Sequence, residues 1–381
     1  MKINPYIFLL PKPPVLIIWN YNTHEQFEID KPHANRLFEL LELPSLFDEN
    51  NPQDQTLFSA GVLLNEPYIS DTWQWDALSK IFHIGTKNLA SCELPLTSLE
   101  WARHYVAQCQ EATDRPYPPP HRLASLQPED LILLPQLQSF SALDRLGSLK
   151  QSLLNRKTCR SFDNTSVSLD DISNLLYLCL GYLSEREADV HTLAPAMFRA
   201  RRSSPSGGGL NSSEGYLYAY NIRELDPGFY YYHPQKHALK FISRTKEPLG
   251  AYLQGQHFAN NLPFGVFITS RLDKMWWKYR HSQAYRVSLL EVGHISQSLQ
   301  LCATSLGLNT WLTAALSEQK IAKALCLPDL SEQVFLFFGA GHSDGQAVSK
   351  ELEELLKKQQ IERGIENVTT LNTGQTQSFK K

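Results

Sequence analysis

A chain of 381 residues is long enough for two domains, or for one large domain with an elaborated end, and its 42% apolar and 20% charged content is that of a folded globular protein, not a fibrous or disordered one. Its 36 basic and 39 acidic residues leave a formal net charge of -3 with no long single-sign block, so nothing marks it for nucleic acid. Six cysteines (Cys92, Cys109, Cys159, Cys179, Cys302, Cys326) lack Cys-x-x-Cys spacing and the histidines lack a ligand pattern, which argues against a disulfide framework, a zinc knuckle and a metal site and fits reduced thiols in a cytoplasm.

The first twenty residues hold a short apolar stretch that Pro11, Pro13 and Pro14 interrupt, with no cleavage site after it, and read as a strand rather than an export signal. No run approaches the ~18 to 20 apolar residues of a membrane-spanning helix. VLIIWNYNTHEQFEID (15–30) reads as a hairpin turning at Asn20, Asn22, Thr23 and His24. PHANRLFELLEL (32–43) reads as a helix with Leu37, Leu40 and Leu41 on one face, and QTLFSAGVLL (55–64) as a short helix closed by a turn. This order over residues 1–70 is similar to the small winged-helix modules that bind leader peptides in ribosomal-peptide biosynthesis; the alternative is a cap that covers hydrophobic surface.

Residues 71–140 form a connector. It is helical in pattern over 73–110 and then runs into RPYPPPHR (115–122), whose prolines remove donors and enforce extended geometry, as a stiff arm or a polyproline ligand. A domain boundary is placed near 140. From 141 helices alternate with strands, the pattern of an α+β or α/β layered domain reaching to 345. Helices are expected over 141–156, 169–183 and 286–307, and strands over 215–222, 228–234, 238–244, 264–272 and 334–341. Residues 346–381 give one charged helix and a polar tail expected to fray. No fixed-period repeat occurs.

Five stretches in the 141–345 region carry chemistry. Asn155-Arg156-Lys157-Thr158-Cys159-Arg160-Ser161-Phe162 puts three cations and a hydroxyl just past a helix, which suits a phosphate through charge-assisted hydrogen bonds, or simply makes a solvated helix end. In Arg202-Ser203-Ser204-Pro205-Ser206-Gly207-Gly208-Gly209-Leu210, successive glycines let backbone approach a ligand closely, though a plain flexible loop has the same composition. Trp276-Trp277-Lys278-Tyr279-Arg280 sets an amine beside a phenol; a partly buried lysine can serve as a base and a tyrosine hydroxyl can pass a proton, whereas a surface aromatic-basic patch is the plainer reading. The helix EVGHISQSLQLCATSLGL (291–308) mixes Glu291, His294, Gln297 and Gln300 into an apolar pattern, as buried polar partners in a dimer core would require, and Gly307 can cap it in the left-handed conformation. Last, TWLTAAL (310–316) is joined by Phe338-Gly339-Ala340-Gly341-His342, read as a strand ending in a glycine turn.

In this order the five stretches resemble the SagB/McbC kind of FMN-dependent dehydrogenase in the nitroreductase-like superfamily. The first is similar to that superfamily's Arg-Arg-Ser-x-Arg-x-Phe signature, with Lys157 and Thr158 as departures. The second, with GYLYAYNI and DPGFYYYHPQKHALKF after it, resembles a Ser-Pro-Ser-x-Gly loop followed by a Gly-x-Tyr-x-Tyr run. The Lys-Tyr pair is similar to the catalytic mark of azoline dehydrogenases. The resemblance implies an α+β fold, a sheet flanked by helices with a smaller N-terminal α/β domain, and a homodimer binding FMN at the subunit interface. It implies Arg156, Lys157, Thr158 and Arg160 on the phosphate and ribityl groups, and Ser204, Pro205, Ser206, Gly207 and Gly208 beside the ring. Thr313, Ala314, Gly339 and Gly341 would close the site, with Lys278 and Tyr279 handling protons. The implied reaction is dehydrogenation of a thiazoline or oxazoline to an azole in a ribosomally made peptide, with a precursor peptide and a cyclodehydratase as partners. The alternatives are an NAD(P)H-dependent nitro or quinone reductase and a non-catalytic peptide-binding scaffold.

Overall fold

The interrupted N-terminus forms two strands, Lys2–Ile3 (β1) and Ile7–Lys12 (β2), ahead of the expected hairpin of Val15–Asn20 (β3) and Gln26–Ile29 (β4). The Asn20 side chain accepts from the Asn22 and Thr23 amides, an Asx turn that reverses the chain. Strands β2, β3 and β4 make one antiparallel sheet. Lys31–Glu42 (α1) begins where the Asp30 side chain accepts from the His33 amide, and Pro52–Ser59 (α2) begins likewise at Asn51. Leu63–Leu64 (β5) then pairs with β1. Ile18, Ile29, Leu37, Leu40, Leu57 and Leu63 form the core of this module. Asp54 is fully buried on it, where Arg36 grips both its oxygens at 2.7 and 2.9 Å and holds the carboxyl below the usual carboxylate range.

The computed structural model describes residues 2–65, 72–85, 95–113, 148–183, 186, 199–279, 283–327 and 330–362; the proline run at 115–122, the boundary near 140 and the terminal tail lie outside them. Within the connector the helical expectation is met by Ala77–Gly85 (α3) and Ser98–Thr113 (α4). Helix α3 meets the turn between β1 and β2, with Lys80 Nζ 5.0 Å from the centre of the Tyr6 ring.

After Ser148–Asn155 (α5) and Leu169–Leu180 (α6) comes the main sheet of Ser213–Ala219 (β6), Gly228–His233 (β7), Ala238–Ser243 (β8) and Phe264–Arg271 (β9). Leu272–Lys278 (α7) and Gln283–Ser305 (α8) separate these from Asn309–Thr313 (β10), Glu318–Leu325 (α9) and Glu332–Gly341 (β11), and Lys350–Glu362 (α10) follows. The sheet order is β10-β11-β9-β6-β7-β8 with every pair antiparallel, so the layered pattern resolves to α+β. Strand β9 is central and buried through Ser270, which is why its sequence is an unbroken apolar run rather than an alternating one. Phe264, Val266 and Ile268 share a core with Leu175, Leu176 and Leu180 of α6 and Ile295 and Leu299 of α8. Phe267 belongs to a second core with Phe337, Trp311, Leu253 and Ile321. Each such fully buried side chain contributes about 1.5–3 kcal/mol. Helix α8 ends as expected, with Gly307 at φ 77° and the Leu308 amide donating to Ala303 O at 3.0 Å. Helices α7 and α9 have no counterpart among the expected elements.

Candidate functional site

Strand β9 runs straight into α7, whose buried Leu272, Met275 and Trp276 fix its short rod to the core. The last turn therefore delivers Lys278 and Tyr279 to a defined place, which is the loop at 204–209. Lys278 Nζ donates to Gly208 O at 2.8 Å. A Cβ at Gly208 would overlap the Tyr279 hydroxyl and lie 2.6 Å from Lys278 Nζ, so the polar heads of both residues cover this glycine. Its φ of 62° also favours glycine. Two motifs seventy residues apart thus form one surface. The partial burial invoked to activate the lysine is absent: Lys278 is exposed on this chain and Tyr279 is half-buried.

Glu291, 3% exposed, holds the loop from behind. One carboxylate oxygen accepts from Ser206 Oγ at 2.7 Å and the Gly207 amide at 3.2 Å; the other accepts from Ser212 Oγ at 3.1 Å and the Ser213 amide at 2.8 Å. Ser204 is buried with its hydroxyl 3.1 Å from that of Ser298, while Pro205 is exposed. The mixed polar set of α8 therefore divides. Glu291 and Gln300 are buried and find partners within this chain, whereas His294 and Gln297 lie on its surface.

Residues 156–160 lie along the outer edge of the sheet. Thr158 bridges Thr310 in parallel sense and the Cys159 amide donates to Thr310 O at 2.9 Å. Arg156 reaches Gln300 Oε1 at 3.3 Å, Arg160 donates to Ala347 O at 2.6 Å, and Lys157 lies against Gly345. Arg156 and Arg160 are half-buried and Lys157 is exposed, a cation set that a phosphate would satisfy. The neighbouring Cys159 thiol is fully buried, and burial pushes it up. Thr313 closes β10 and accepts from Gln256 Nε2 at 3.1 Å and the Ala315 amide at 3.0 Å, with Ala314 exposed beyond it.

Gly339 and Gly341 depart from the expectation of a glycine turn. Both lie within β11, where a Cβ would come 2.5 Å from Leu262 Cδ1 and 2.6 Å from Pro263 Cδ, so close packing accounts for them. Helix α8 joins the two halves of the site: Glu291 and Ser298 meet the glycine loop, and Gln300 meets Arg156 and lies 3.4 Å from Thr310 Oγ1. Positions 291 and 300 are about 14 Å apart along the helix axis. In the sequence Glu291 stands out as an acid inside an apolar helical face, and its contacts with the glycine loop are formed only by the fold. Among the described residues no group of three or more His, Cys, Asp or Glu side chains could hold a metal ion, and no helix is long and apolar enough to cross a membrane.

Comparison with known proteins agrees in region. The nitroreductase family model matches residues 153–342. A candidate nitroreductase of Methanocaldococcus jannaschii is 25% identical over 179 residues, 46% of this chain and 83% of its own length. The trifolitoxin-processing protein TfxB of Rhizobium leguminosarum bv. trifolii is 28% identical over 229 residues, 57% of each chain, so this chain spans little more than half of that relative. Among solved structures, a chain of the E. coli microcin synthetase McbBCD complex with truncated pro-MccB17 bound aligns with a TM-score of 0.41 and 22% identity, over 65% of this chain and 93% of that one.

Proposed function

This chain carries a nitroreductase-family domain over residues 153–342, and on that premise we propose an FMN-dependent oxidoreductase that dehydrogenates a thiazoline or oxazoline to the aromatic azole in a ribosomally made peptide. The observation that carries this reading is the placing of the Lys278 and Tyr279 heads over Gly208, an amine and a phenol beside a glycine run without side chains. The trifolitoxin-processing relative supports a peptide substrate.

The residues present fit FMN. Arg156, Lys157 and Arg160 supply cations for its phosphate and Thr158 a hydroxyl for the ribityl chain, while Ser206, Gly207 and Gly208, clamped by Glu291, present backbone to the ring. Bound FMN supplies the two-electron acceptor, which oxygen regenerates. Lys278 or Tyr279 takes the proton from the azoline ring carbon, and the exposure of Lys278 lets the pair exchange that proton with solvent. Thr313 and Ala314 close the far end of the site, and the N-terminal module holds the precursor peptide delivered by a cyclodehydratase.

A homodimer is part of the proposal. Arg286, Leu289, Leu290, Gly293, His294 and Gln297 make one exposed stripe on α8, and Leu149, Leu153 and Leu154 are exposed on α5 beside it. Five exposed leucines, Leu149, Leu153, Leu154, Leu289 and Leu290, on these two neighbouring helices suit an interface with a polar surround. The test is direct: purified protein should show the absorbance of bound FMN, and Lys278→Met and Tyr279→Phe should stay yellow while losing dehydrogenation of a thiazoline peptide. Unchanged turnover in both variants would sink the assignment. The family membership of the domain also favours a second reading, an NAD(P)H-dependent nitro or quinone reductase, which rapid reduction of a nitroarene by NADPH would select.

A further inference from the structure

The Lys278–Tyr279 pair is gripped from outside its own domain. Trp75, 7% exposed, donates its indole N–H to the Tyr279 carbonyl at 3.0 Å. That carbonyl belongs to the residue that caps α7 and leaves the helix in extended conformation, with φ -109° and ψ 112°. The Trp75 ring is itself immobilised. It meets Trp276 edge-on at 5.7 Å, Tyr285 at 6.0 Å and Trp73 at 5.5 Å, and Trp73 stacks on His83 at 5.3 Å and donates to Ser79 Oγ at 3.1 Å. His83 in turn hydrogen-bonds the Tyr285 hydroxyl. A buried indole whose N–H is committed to one acceptor is a stiff, directional anchor.

The contrast with the front of the pair matters. There Lys278 Nζ holds Gly208 O through an exposed hydrogen bond that water can replace.

We infer that Trp75, from the connector outside the nitroreductase-family domain, is a positioning residue: it fixes the Tyr279 backbone and thereby aims Lys278 and Tyr279 at the Gly208 loop. The inference rests on the proton-handling role proposed for that pair. Because α3 also rests on Tyr6 and Tyr21, the same segment links the N-terminal sheet to the site.

The test uses the full chain with Trp75→Phe, which keeps a ring but deletes the N–H, and with 3-benzothienylalanine at position 75, which keeps the indole shape without the N–H and serves if the phenylalanine variant does not fold. With FMN bound and a synthetic thiazoline peptide as substrate, kcat should fall by about tenfold while KM stays within about twofold, as loss of aim without loss of binding requires. The limb of the pH profile that belongs to the pair should shift. In flavin-free protein, acylation of Lys278 by an N-hydroxysuccinimide ester, read by mass spectrometry, should speed up severalfold. If the wild type does not turn over the azoline, the proposed reaction fails while the acylation rate still decides the role of Trp75. A native Lys278 acylation rate in a folded variant overturns the inference.

Discussion

Replacing Glu291 tests whether the glycine loop is clamped as the geometry requires. In Glu291→Ala all four acceptor contacts disappear, namely Ser206 Oγ at 2.7 Å, the Gly207 amide at 3.2 Å, Ser212 Oγ at 3.1 Å and the Ser213 amide at 2.8 Å. The two hydroxyls can rotate to other partners, but the two backbone amides cannot. Stranding the buried Ser213 amide costs about 1–3 kcal/mol and the part-buried Gly207 amide less, so the variant should lose about 2–4 kcal/mol, a large share of the ~5–15 kcal/mol that a domain has. Glu291→Gln keeps one acceptor oxygen and turns an NH2 group toward the other pair of donors, which strands one amide and should cost about 1–3 kcal/mol. Urea unfolding followed by tryptophan fluorescence measures both values, and titration with FMN measures whether loop order serves the cofactor. The reasoning is refuted if the alanine variant unfolds within about 0.5 kcal/mol of wild type, the range of an ordinary surface change. It is refuted in its functional part if stability falls while FMN affinity does not.

Gly208→Ala adds a Cβ at positive φ, costing about 1–2 kcal/mol, and displaces the Lys278 and Tyr279 heads. The expected result is a protein that stays yellow with kcat lower by about a hundredfold, and full activity would show that the heads need not lie there. Leu290→Arg places a charge on a side chain that is 62% exposed at the centre of the α8 stripe, and light scattering should show monomer where the wild type is dimer; an unchanged dimer moves the interface elsewhere. Burial pushes Glu332 above the ordinary glutamate value of 4.5, despite hydrogen bonds from Thr269 and Tyr216 that oppose the shift. The folded state then holds that proton more tightly than the unfolded state, so the contribution is fully present below 4.5 and is lost as pH rises through the raised value. Tm measured across that window should fall less steeply in Glu332→Gln, and parallel curves would contradict the assignment.

Regular elements were legible where burial imposes a period. The continuous run of β9 and the Leu37–Leu40 face of α1 announced themselves, since one is buried on both sides and the other on one, whereas Leu41, expected on that face, is 49% exposed. Helix α7 did not, because its buried Leu272, Met275 and Trp276 make a single i, i+3, i+4 set, and seven residues are too few for that period to stand out beside the strand that precedes them. Strand β6 begins two residues earlier than its apolar pattern, at Ser213 and Glu214, because Lys274 at 3.0 Å and Arg202 at 3.8 Å satisfy a buried acid that composition would place on the surface. For the site, the individual motifs could be read but not their meeting, which depends on how β9 and α7 are threaded. The contact of Trp75 with Tyr279 spans 204 positions in the chain, and no local pattern encodes such a distance.

Helix α8 has no idle face. Its inner side carries Ile295 and Leu299 in the core together with Glu291 and Gln300 behind the site, and its outer side shows Leu290, Gly293 and His294. If the outer stripe is an interface, every turn answers to two demands at once. Tolerance to substitution along this helix should then be uniformly low, and positions that look open on a single chain should accept replacements as poorly as those in the core. Diversifying selection, in the laboratory or in nature, would be driven off this rod and toward surfaces that answer to one demand alone.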